Sequence, residues 1–240
     1  MAMRKIYGRK GVSEAPGFLS MEVILPAVAG IIIVSFIIIP FIASIMPTDA
    51  RADIGLAERY CNMNAGVRNA IMGGAKWVMP LWFCHERSVK VDANNWDVCD
   101  PDGKFELEKM AKEDDKEYEA TRRCAAQQFY NLGKRCWYMY GQNRFNMQAL
   151  EIFRTGCFKA TVRDLQGTIG ESELTDASIR ADGCKYLQNS AGPKKCGSYD
   201  GMDFADWTTT AEIKTGKTHY ICFDDAGGGH DQIDYRENPC

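Results

Sequence analysis

A run of twenty-four residues without a charged side chain, 23–46, constrains this chain more than any other feature of its sequence. As an α-helix, such a run would rise about 36 Å, which exceeds the roughly 30 Å thickness of the hydrocarbon core of a bilayer. The sequence therefore predicts one transmembrane helix over residues 18–47. A basic segment, 1–17, precedes this helix, and a polar segment, 48–240, follows it.

The flanking charges predict the direction in which this helix is inserted. Four basic residues lie within residues 1–17, whereas the far flank of the apolar run begins with Asp49. Because positive residues are retained on the cytoplasmic side, residues 1–17 are predicted to be cytoplasmic and residues 48–240 extracellular. The predicted location is the cell membrane, which the chain crosses once. The predicted partners are the lipid bilayer and copies of the chain or other membrane subunits.

A cleaved secretory signal is the alternative interpretation of the same N-terminus, since such signals also combine a basic region with an apolar core. The apolar run is longer than the usual core of about 7 to 15 residues. Residues 43–45 also make a poor small-residue cleavage site. We therefore expect an uncleaved anchor, and the alternative stays open.

Ten cysteines, all within residues 48–240, agree with export to an oxidising compartment. No two of them are two to four residues apart, as zinc fingers and ribbons require, so they predict disulfides rather than metal ligation. Ten cysteines admit about 945 complete pairings, and the sequence does not select one of them. The predicted disulfide cysteines are Cys61, Cys84, Cys99, Cys124, Cys136, Cys157, Cys184, Cys196, Cys222 and Cys240.

The extracellular segment is predicted to be a single domain of mixed helix and strand, so that the fold class of the chain is α+β. Charged residues at helical spacing predict a helix over 105–132, with Gly133 as its stop. Alternating apolar residues predict strands at 88–91 and 158–164. Residues 208–214 and 217–223 predict a hairpin that turns at Thr215 and Gly216.

A further helix is predicted after Thr48 and Asp49, which are suitable residues for its N-terminal cap. Its apolar residues recur at spacings of three and four, and they predict one face that packs against a partner surface. These residues are Leu56, Tyr60, Met63, Val67 and Ile71.

The residues directly before the apolar run resemble the processing site of type IV prepilins. The resemblance is carried by Gly17 and Phe18, with Glu22 four residues further on. It implies that a peptidase cuts after Gly17 and that Phe18 becomes an N-methylated N-terminus. It also implies that Glu22 pairs with the terminal amine of a neighbouring subunit during assembly. The resemblance covers only the first quarter of the chain, and it predicts a structural pilin-like subunit that assembles through its N-terminal helix.

A second, shorter resemblance concerns the aromatic segment that begins with Cys136 and Trp137. It is similar to a pattern in membrane-anchored surface proteins of small archaea. No known activity belongs to that pattern, which favours only an archaeal envelope as the setting.

Two alternatives stand beside the pilin-like interpretation. Glu22 is also explained as a first-turn carboxylate that complements the helix dipole and meets water at headgroup level. The alternative for the chain as a whole is a single-pass anchored receptor or adhesin, or an accessory subunit of a membrane complex. Pro26 and Pro40 favour this alternative slightly, because they would disturb a helix built for regular packing.

Two aspartate clusters are the only candidate metal sites in the sequence. Asp97, Asp100 and Asp102 precede a glycine, but they do not match the ligand positions of a calcium loop. A second cluster surrounds three glycines near the C-terminus and fits no calcium-loop register either, so we expect both to be solvated turns. The members of the second cluster are Asp224, Asp225, Asp231 and Asp234.

Catalysis and nucleic-acid binding are not expected. The three histidines, His85, His219 and His230, belong to no zinc, Ser-His-Asp or phosphate-loop pattern, so the prediction is a protein that is not an enzyme and has no cofactor beyond a calcium ion. The formal net charge is -3, and the polar segment carries no basic run of the kind that binds nucleic acid.

Overall fold

The structure is a computed structural model. It describes residues 21–33, 38, 50–51, 53–70, 84, 86–113, 115–140, 154–183, 185–188, 205–209, 212–224 and 232–240. The chain divides into two compact units, Met1–Ile39 and Pro40–Cys240.

The first unit contains α1, Met21–Ile33, an apolar helix of 13 residues. At 1.5 Å per residue it rises about 20 Å. Among the residues that the structure describes, no helix combines the length and the apolarity needed to cross a membrane. The predicted transmembrane helix over 18–47, the fold class built on it and the single-pass membrane location are therefore wrong. The prediction used the apolarity of the run as a measure of helix length. These are separate properties, because an apolar segment need not form one continuous helix.

The second unit is a mixed α/β structure. Its helices are α2 (Leu56–Ala70), α3 (Trp96–Cys99), α4 (Leu107–Ala111), α5 (Glu117–Met139) and α6 (Glu171–Asp182). Its strands are β1 (Arg87–Asp92), β2 (Arg154–Arg163), β3 (Thr168–Ile169), β4 (Leu187–Gln188), β5 (Ala205–Thr209), β6 (Ile213–Lys214), β7 (Thr218–Asp224) and β8 (Gln232–Arg236).

Six of these strands form one twisted sheet in the order β1-β2-β7-β8-β5-β4. The pairs β1–β2, β4–β5 and β5–β8 are parallel, whereas β2–β7 and β7–β8 are antiparallel. Strands β3 and β6 make a separate antiparallel pair. The fold is thus a mixed sheet, in which the C-terminal strand β8 is inserted between β7 and β5.

Helix α5 packs against one face of the sheet and supplies the centre of the core. Alternate residues of β2 and β7 point toward it, because side chains along a strand alternate between the two faces. Phe158 lies opposite Ile221 on this inner face, and the ring of Tyr140 stacks on Phe223 at 4.7 Å. All of these side chains are buried, as is Phe129 in the middle of α5.

Four disulfides join the described elements, and each one links cysteines that are neighbours in sequence order. The pairs are Cys61–Cys84, Cys99–Cys124, Cys136–Cys157 and Cys222–Cys240, which close loops of 18 to 25 residues. In the chain-entropy account, loops of this size each contribute about 3 kcal/mol to stability. The disulfide prediction is confirmed for these eight residues, while Cys184 and Cys196 lie outside the described residues.

Local patterns placed several elements correctly, whereas pairing and helix ends followed the tertiary structure. The predicted strands at 88–91 and 158–164 correspond to β1 and to most of β2. Gly133 lies inside α5 instead of ending it, because the helix continues to the buried core residue Met139. The turn at Gly216 is present, with a φ of 75° that favours glycine. The strands on its two sides pair with β3 and with β2 and β8, so the predicted hairpin is wrong.

Candidate functional site

Of the three residues that carry the prepilin resemblance, one lies on a described element. Glu22 lies in the first turn of α1, where the structure describes the backbone alone. Gly17 and Phe18 lie outside the described residues, so processing stays a prediction. Helix α1 itself presents bare apolar side chains, with exposed fractions of 71% for Leu25 and 65% for Ile31.

Two residues of the predicted apolar face of α2 point away from the core, opposite to the prediction. Leu56 is 58% exposed and Met63 is 50% exposed. Tyr60 is half-buried, the side chain of Val67 is not among those described, and Ile71 lies outside the described residues. The buried side of α2 instead consists of small or polar residues, namely Ala57, Glu58, Cys61, Asn64 and Ala65. The prediction was wrong for Leu56 and Met63, because α5 offers this helix a hydrogen-bonding surface that buries its polar side instead.

A buried carboxylate lies between two arginines where α2 meets α5 and the start of β1. Glu58 Oε1 accepts hydrogen bonds from Arg135 at 2.5 Å and from Arg87 at 3.2 Å. The exposed fractions of these side chains are 0% for Glu58, 4% for Arg135 and 9% for Arg87. Arg135 also donates to the backbone oxygen of Arg51 at 3.3 Å and lies 5.3 Å from the centre of the Phe158 ring. We call Glu58, Arg87 and Arg135 the ionic cluster.

The electrostatics of the ionic cluster depend on its single carboxylate. Burial lowers the pKa of Arg87, the charge of Glu58 raises that pKa, and the neighbouring Arg135 lowers it. Gly55 makes room for the carboxylate, since a Cβ at this position would lie 2.5 Å from Glu58 Oε2. Sequence reasoning missed the cluster, because Glu58 is 29 residues from Arg87 and 77 from Arg135. Its role is to hold α2 against the rest of the unit.

Further polar contacts continue along the same boundary. Asn62 Nδ2 donates to the backbone oxygen of Tyr138 at 2.6 Å, and Asn131 Nδ2 donates to that of Ala50 at 3.3 Å. The disulfide Cys61–Cys84 adds a covalent link from α2 to the segment that leads into β1. The helix is therefore attached by hydrogen bonds, charge and a disulfide, and only slightly by apolar burial.

The C-terminal aspartate cluster is not assembled as a cation site in the described residues. Asp234 is buried in β8, where it accepts a hydrogen bond from Thr208 at 3.1 Å and pairs with Arg236. Asp224 ends β7, and Asp225 and Asp231 lie outside the described residues. Within the described part of the chain, no three His, Cys, Asp or Glu side chains are grouped closely enough to hold a metal ion.

The central aspartate of the other cluster has a structural role. Both oxygens of the Asp100 carboxylate accept from the backbone N–H of Phe105 at 3.1 Å, and Oδ2 also accepts from that of Leu107 at 3.3 Å. These bonds fix the loop that leads into α4. Asp100 is therefore already satisfied by the backbone, as a carboxylate that caps a turn commonly is.

An open surface cavity of about 350 Å³ lies around the start of α3. One indole and five planar hydrogen-bonding side chains line this cavity, which we call the Trp96 cavity. The lining residues are Asp92, Asn94, Asn95, Trp96, Asp97 and Glu108. Of these residues, the sequence indicated only Asp97 as a candidate ligand residue, and it did so for calcium.

A second cavity, of about 180 Å³, lies between α5 and α6. Arginines and carboxylates alternate on its walls, and Arg122 pairs with Glu173 while Arg123 pairs with Glu119. Burial and the charge of Arg123 lower the pKa of Arg180. Because the positive and negative side chains are equal in number, this cavity favours no particular charge in a ligand.

His219 is a buried histidine on β7 that faces α5. Its exposed fraction is 1%, its Nε2 accepts from the backbone N–H of Lys214 at 3.3 Å, and the Phe129 ring lies edge-on at 6.1 Å. Its Nδ1 is buried and has no hydrogen-bond partner among the described residues. Burial lowers the pKa of His219 below its ordinary value of 6.5, and the charge of Glu237 opposes this only in part. This histidine belongs to the core.

We expect the free energy of unfolding to decrease as the pH falls below about 6.5, because the unfolded chain then binds a proton that the buried His219 resists. The slope contributed by one such group approaches about 1.4 kcal/mol per pH unit. His219→Gln keeps an acceptor for the Lys214 amide but does not titrate, so its stability should change less between about pH 5 and 7. Urea unfolding of both proteins measures this difference. Equal slopes in the two proteins would contradict the assignment.

Comparisons with known proteins return no match to any family model, curated protein or solved structure.

Proposed function

We propose that this protein is a non-enzymatic structural subunit of a cell-surface assembly, of the type IV pilin kind, that associates with copies of itself through its N-terminal apolar segment. The observation that carries the proposal is the exposed apolar surface of α1, on which Leu25 and Ile31 keep 71% and 65% of their areas accessible. Burying such side chains gains about 1.5–3 kcal/mol each, so contact with a second copy would be strongly favoured. The proposal concerns contacts between subunits and places no helix across a membrane.

The position of Glu22 supports the choice of a second copy as the partner. In the first turn of an apolar helix, a carboxylate that becomes buried on assembly needs a positive partner, since an unpaired buried charge is very costly. If the chain is cut after Gly17, the freed amine of Phe18 in a neighbouring subunit supplies that partner. The sequence resemblance implies this pairing.

Helix α2 supports the proposal from the second unit. Its exposed apolar residues, Leu56 and Met63, offer further surface to a neighbouring copy. The ionic cluster and Cys61–Cys84 attach α2 firmly to the second unit. A force applied to α2 in an assembly would therefore be transmitted to the rest of that unit. Disulfides form and persist in oxidising compartments, and the four in this unit are therefore typical of an extracellular protein.

Mass analysis of the native protein tests the proposal. We expect the mature chain to begin at a methylated Phe18, with no peptide from residues 1–17. In a strain or expression system that assembles the protein, Glu22→Ala should lower the sedimenting polymer at least about tenfold, because the pairing charge is lost and tenfold corresponds to only about 1.4 kcal/mol. Asp53→Ala removes an exposed carboxylate that stays in the mature chain, so it serves as the matched control and should assemble normally.

Two results would overturn the proposal. One is an intact segment 1–17 in polymer isolated from the native source. The other is unchanged assembly of the Glu22→Ala protein.

A second candidate function, that of a receptor or adhesin, is favoured by the Trp96 cavity. This cavity is the larger of the two described above and combines an aromatic ring with hydrogen-bonding groups, as small-molecule sites commonly do. The two functions are compatible, because the cavity and α1 lie in different units of the chain.

A further inference from the structure

We propose that the Trp96 cavity binds an uncharged sugar of a glycan. The proposal deepens the second candidate function and is independent of assembly through α1. It depends on three properties of the cavity, which are its chemistry, its charge and its rigidity.

The chemistry of the lining matches a polyhydroxylated ring. A pyranose has an apolar face of C–H groups, which packs on an aromatic ring, and an edge of hydroxyl groups, which need planar donors and acceptors. Trp96 supplies the aromatic ring, and it is only partly buried. Asn94 and Asn95 supply amides that both donate and accept, and Asp97 supplies an acceptor.

The charge of the lining selects against anions. Among the described lining residues, the charges are those of Asp92, Asp97 and Glu108, all negative, so a phosphate or an acidic sugar would be repelled. A metal ion is also disfavoured, because these carboxylates are not close enough to form a group of three around one ion within the described residues. Glu108 is occupied in part by an ion pair with Lys112 at 2.7 Å. Carboxylates spread around a cavity are better suited to accept from separate hydroxyls.

The hydrogen-bonding groups of the lining are not all committed to the protein. Asp92 Oδ1 accepts from the backbone N–H of Asn94 at 2.9 Å. By contrast, no hydrogen bond or ion pair to the Asp97 carboxylate is found among the described residues, and its side chain is exposed. Asp97 is therefore the acceptor that is most available to a ligand.

The backbone at Asp92 and the indole of Trp96 are held in place, which lowers the entropy cost of binding. Gln128 of α5 holds the backbone of Asp92 from both sides, donating to its oxygen at 2.6 Å and accepting from its N–H at 3.3 Å. The disulfide Cys99–Cys124 ties α3 to α5 directly beneath Trp96. The indole packs on a small core made by these cysteines and Leu107. Its orientation is thus set before a ligand arrives.

Saturation-transfer NMR of the full-length oxidised chain tests the proposal with maltotriose, cellotriose, mannotriose and triacetylchitotriose as neutral probes. At least one of them should bind, with a dissociation constant on the order of 1 mM or below. Trp96→Ala and Asp97→Ala should each weaken binding at least about tenfold, which is 1.4 kcal/mol. Trp96→Phe keeps an aromatic face and should retain part of the affinity.

Asp102→Ala is the matched control, because Asp102 is an exposed carboxylate of the adjacent loop that does not line the cavity. It should leave binding unchanged. Thermal unfolding of each variant shows whether that variant is folded. Asp97→Ala removes only an exposed side chain, so this variant still tests the proposal if Trp96→Ala does not fold. The proposal fails if no neutral probe binds, if both cavity variants bind as well as the original chain, or if sialyllactose or calcium occupies the cavity instead.

Discussion

Glu58→Gln should lower the free energy of unfolding by about 3–5 kcal/mol, the usual cost of breaking a buried ion pair from one side. The substitution keeps the volume of the side chain and removes only its charge. Two arginines whose side chains are 4% and 9% exposed would then lose the one carboxylate they share. Burial and the charge of Arg135 both lower the pKa of Arg87, and the substitution removes the charge of Glu58 that opposes them.

Equilibrium unfolding in urea, with the disulfides intact, measures this loss. Glu108→Gln is the matched control, because Glu108 forms an ion pair with Lys112 at 2.7 Å in which both side chains are more than half exposed. Such surface pairs contribute at most about 1 kcal/mol, so the control should be nearly as stable as the original chain. A loss of less than about 1 kcal/mol for Glu58→Gln would show that the ionic cluster does not hold α2 in place.

Phe129→Ala should be comparably destabilising, by about 3–5 kcal/mol, because it opens a cavity at the centre of the core. The exposed fraction of Phe129 is 0%. Its ring meets those of His219 and Tyr235 edge-on at 6.1 and 6.3 Å, and its backbone oxygen accepts from the Tyr235 hydroxyl at 3.3 Å. The disulfide-linked elements around it cannot move far enough to fill the space.

The same urea measurement applies, with Ile179→Ala as its control. Ile179 is a large apolar residue of α6, but it is 39% exposed, so its truncation should cost less than about 1 kcal/mol. Equal losses in the two variants would show that α5 does not form the centre of the core.

Connectivity was the part of the fold that the sequence left undetermined. The ten cysteines predicted disulfides, and the four described pairs confirm that chemistry. The pairs Cys99–Cys124 and Cys136–Cys157 follow from the way α5 lies beside α3 and β2, which no cysteine spacing encodes. The turn at Gly216 is a local property, and the sequence predicted it correctly. The strands on its two sides pair with strands other than each other, which the sequence did not predict.

Of the candidate sites, the sequence indicated individual residues but not their assembly. Asp97 and Asp100 were chosen together as possible calcium ligands. In the structure Asp100 binds the backbone of Phe105, while Asp97 faces a cavity with Trp96. No sequence pattern indicated the ionic cluster, because its three residues are far apart in the sequence. Glutamate and arginine are also ordinarily found on protein surfaces.

The sequence by itself determined the apolar character of residues 23–46, the oxidising chemistry of the cysteines and the positions of β1, β2 and much of α5, because these depend on composition and short-range periodicity. Only the tertiary structure decided which side of α2 is buried, how the strands pair and which of the described cysteines meet. These depend on what each element finds opposite it in space. The polar surface of α5 buried Glu58 and left Leu56 exposed, and no pattern confined to α2 carries that information.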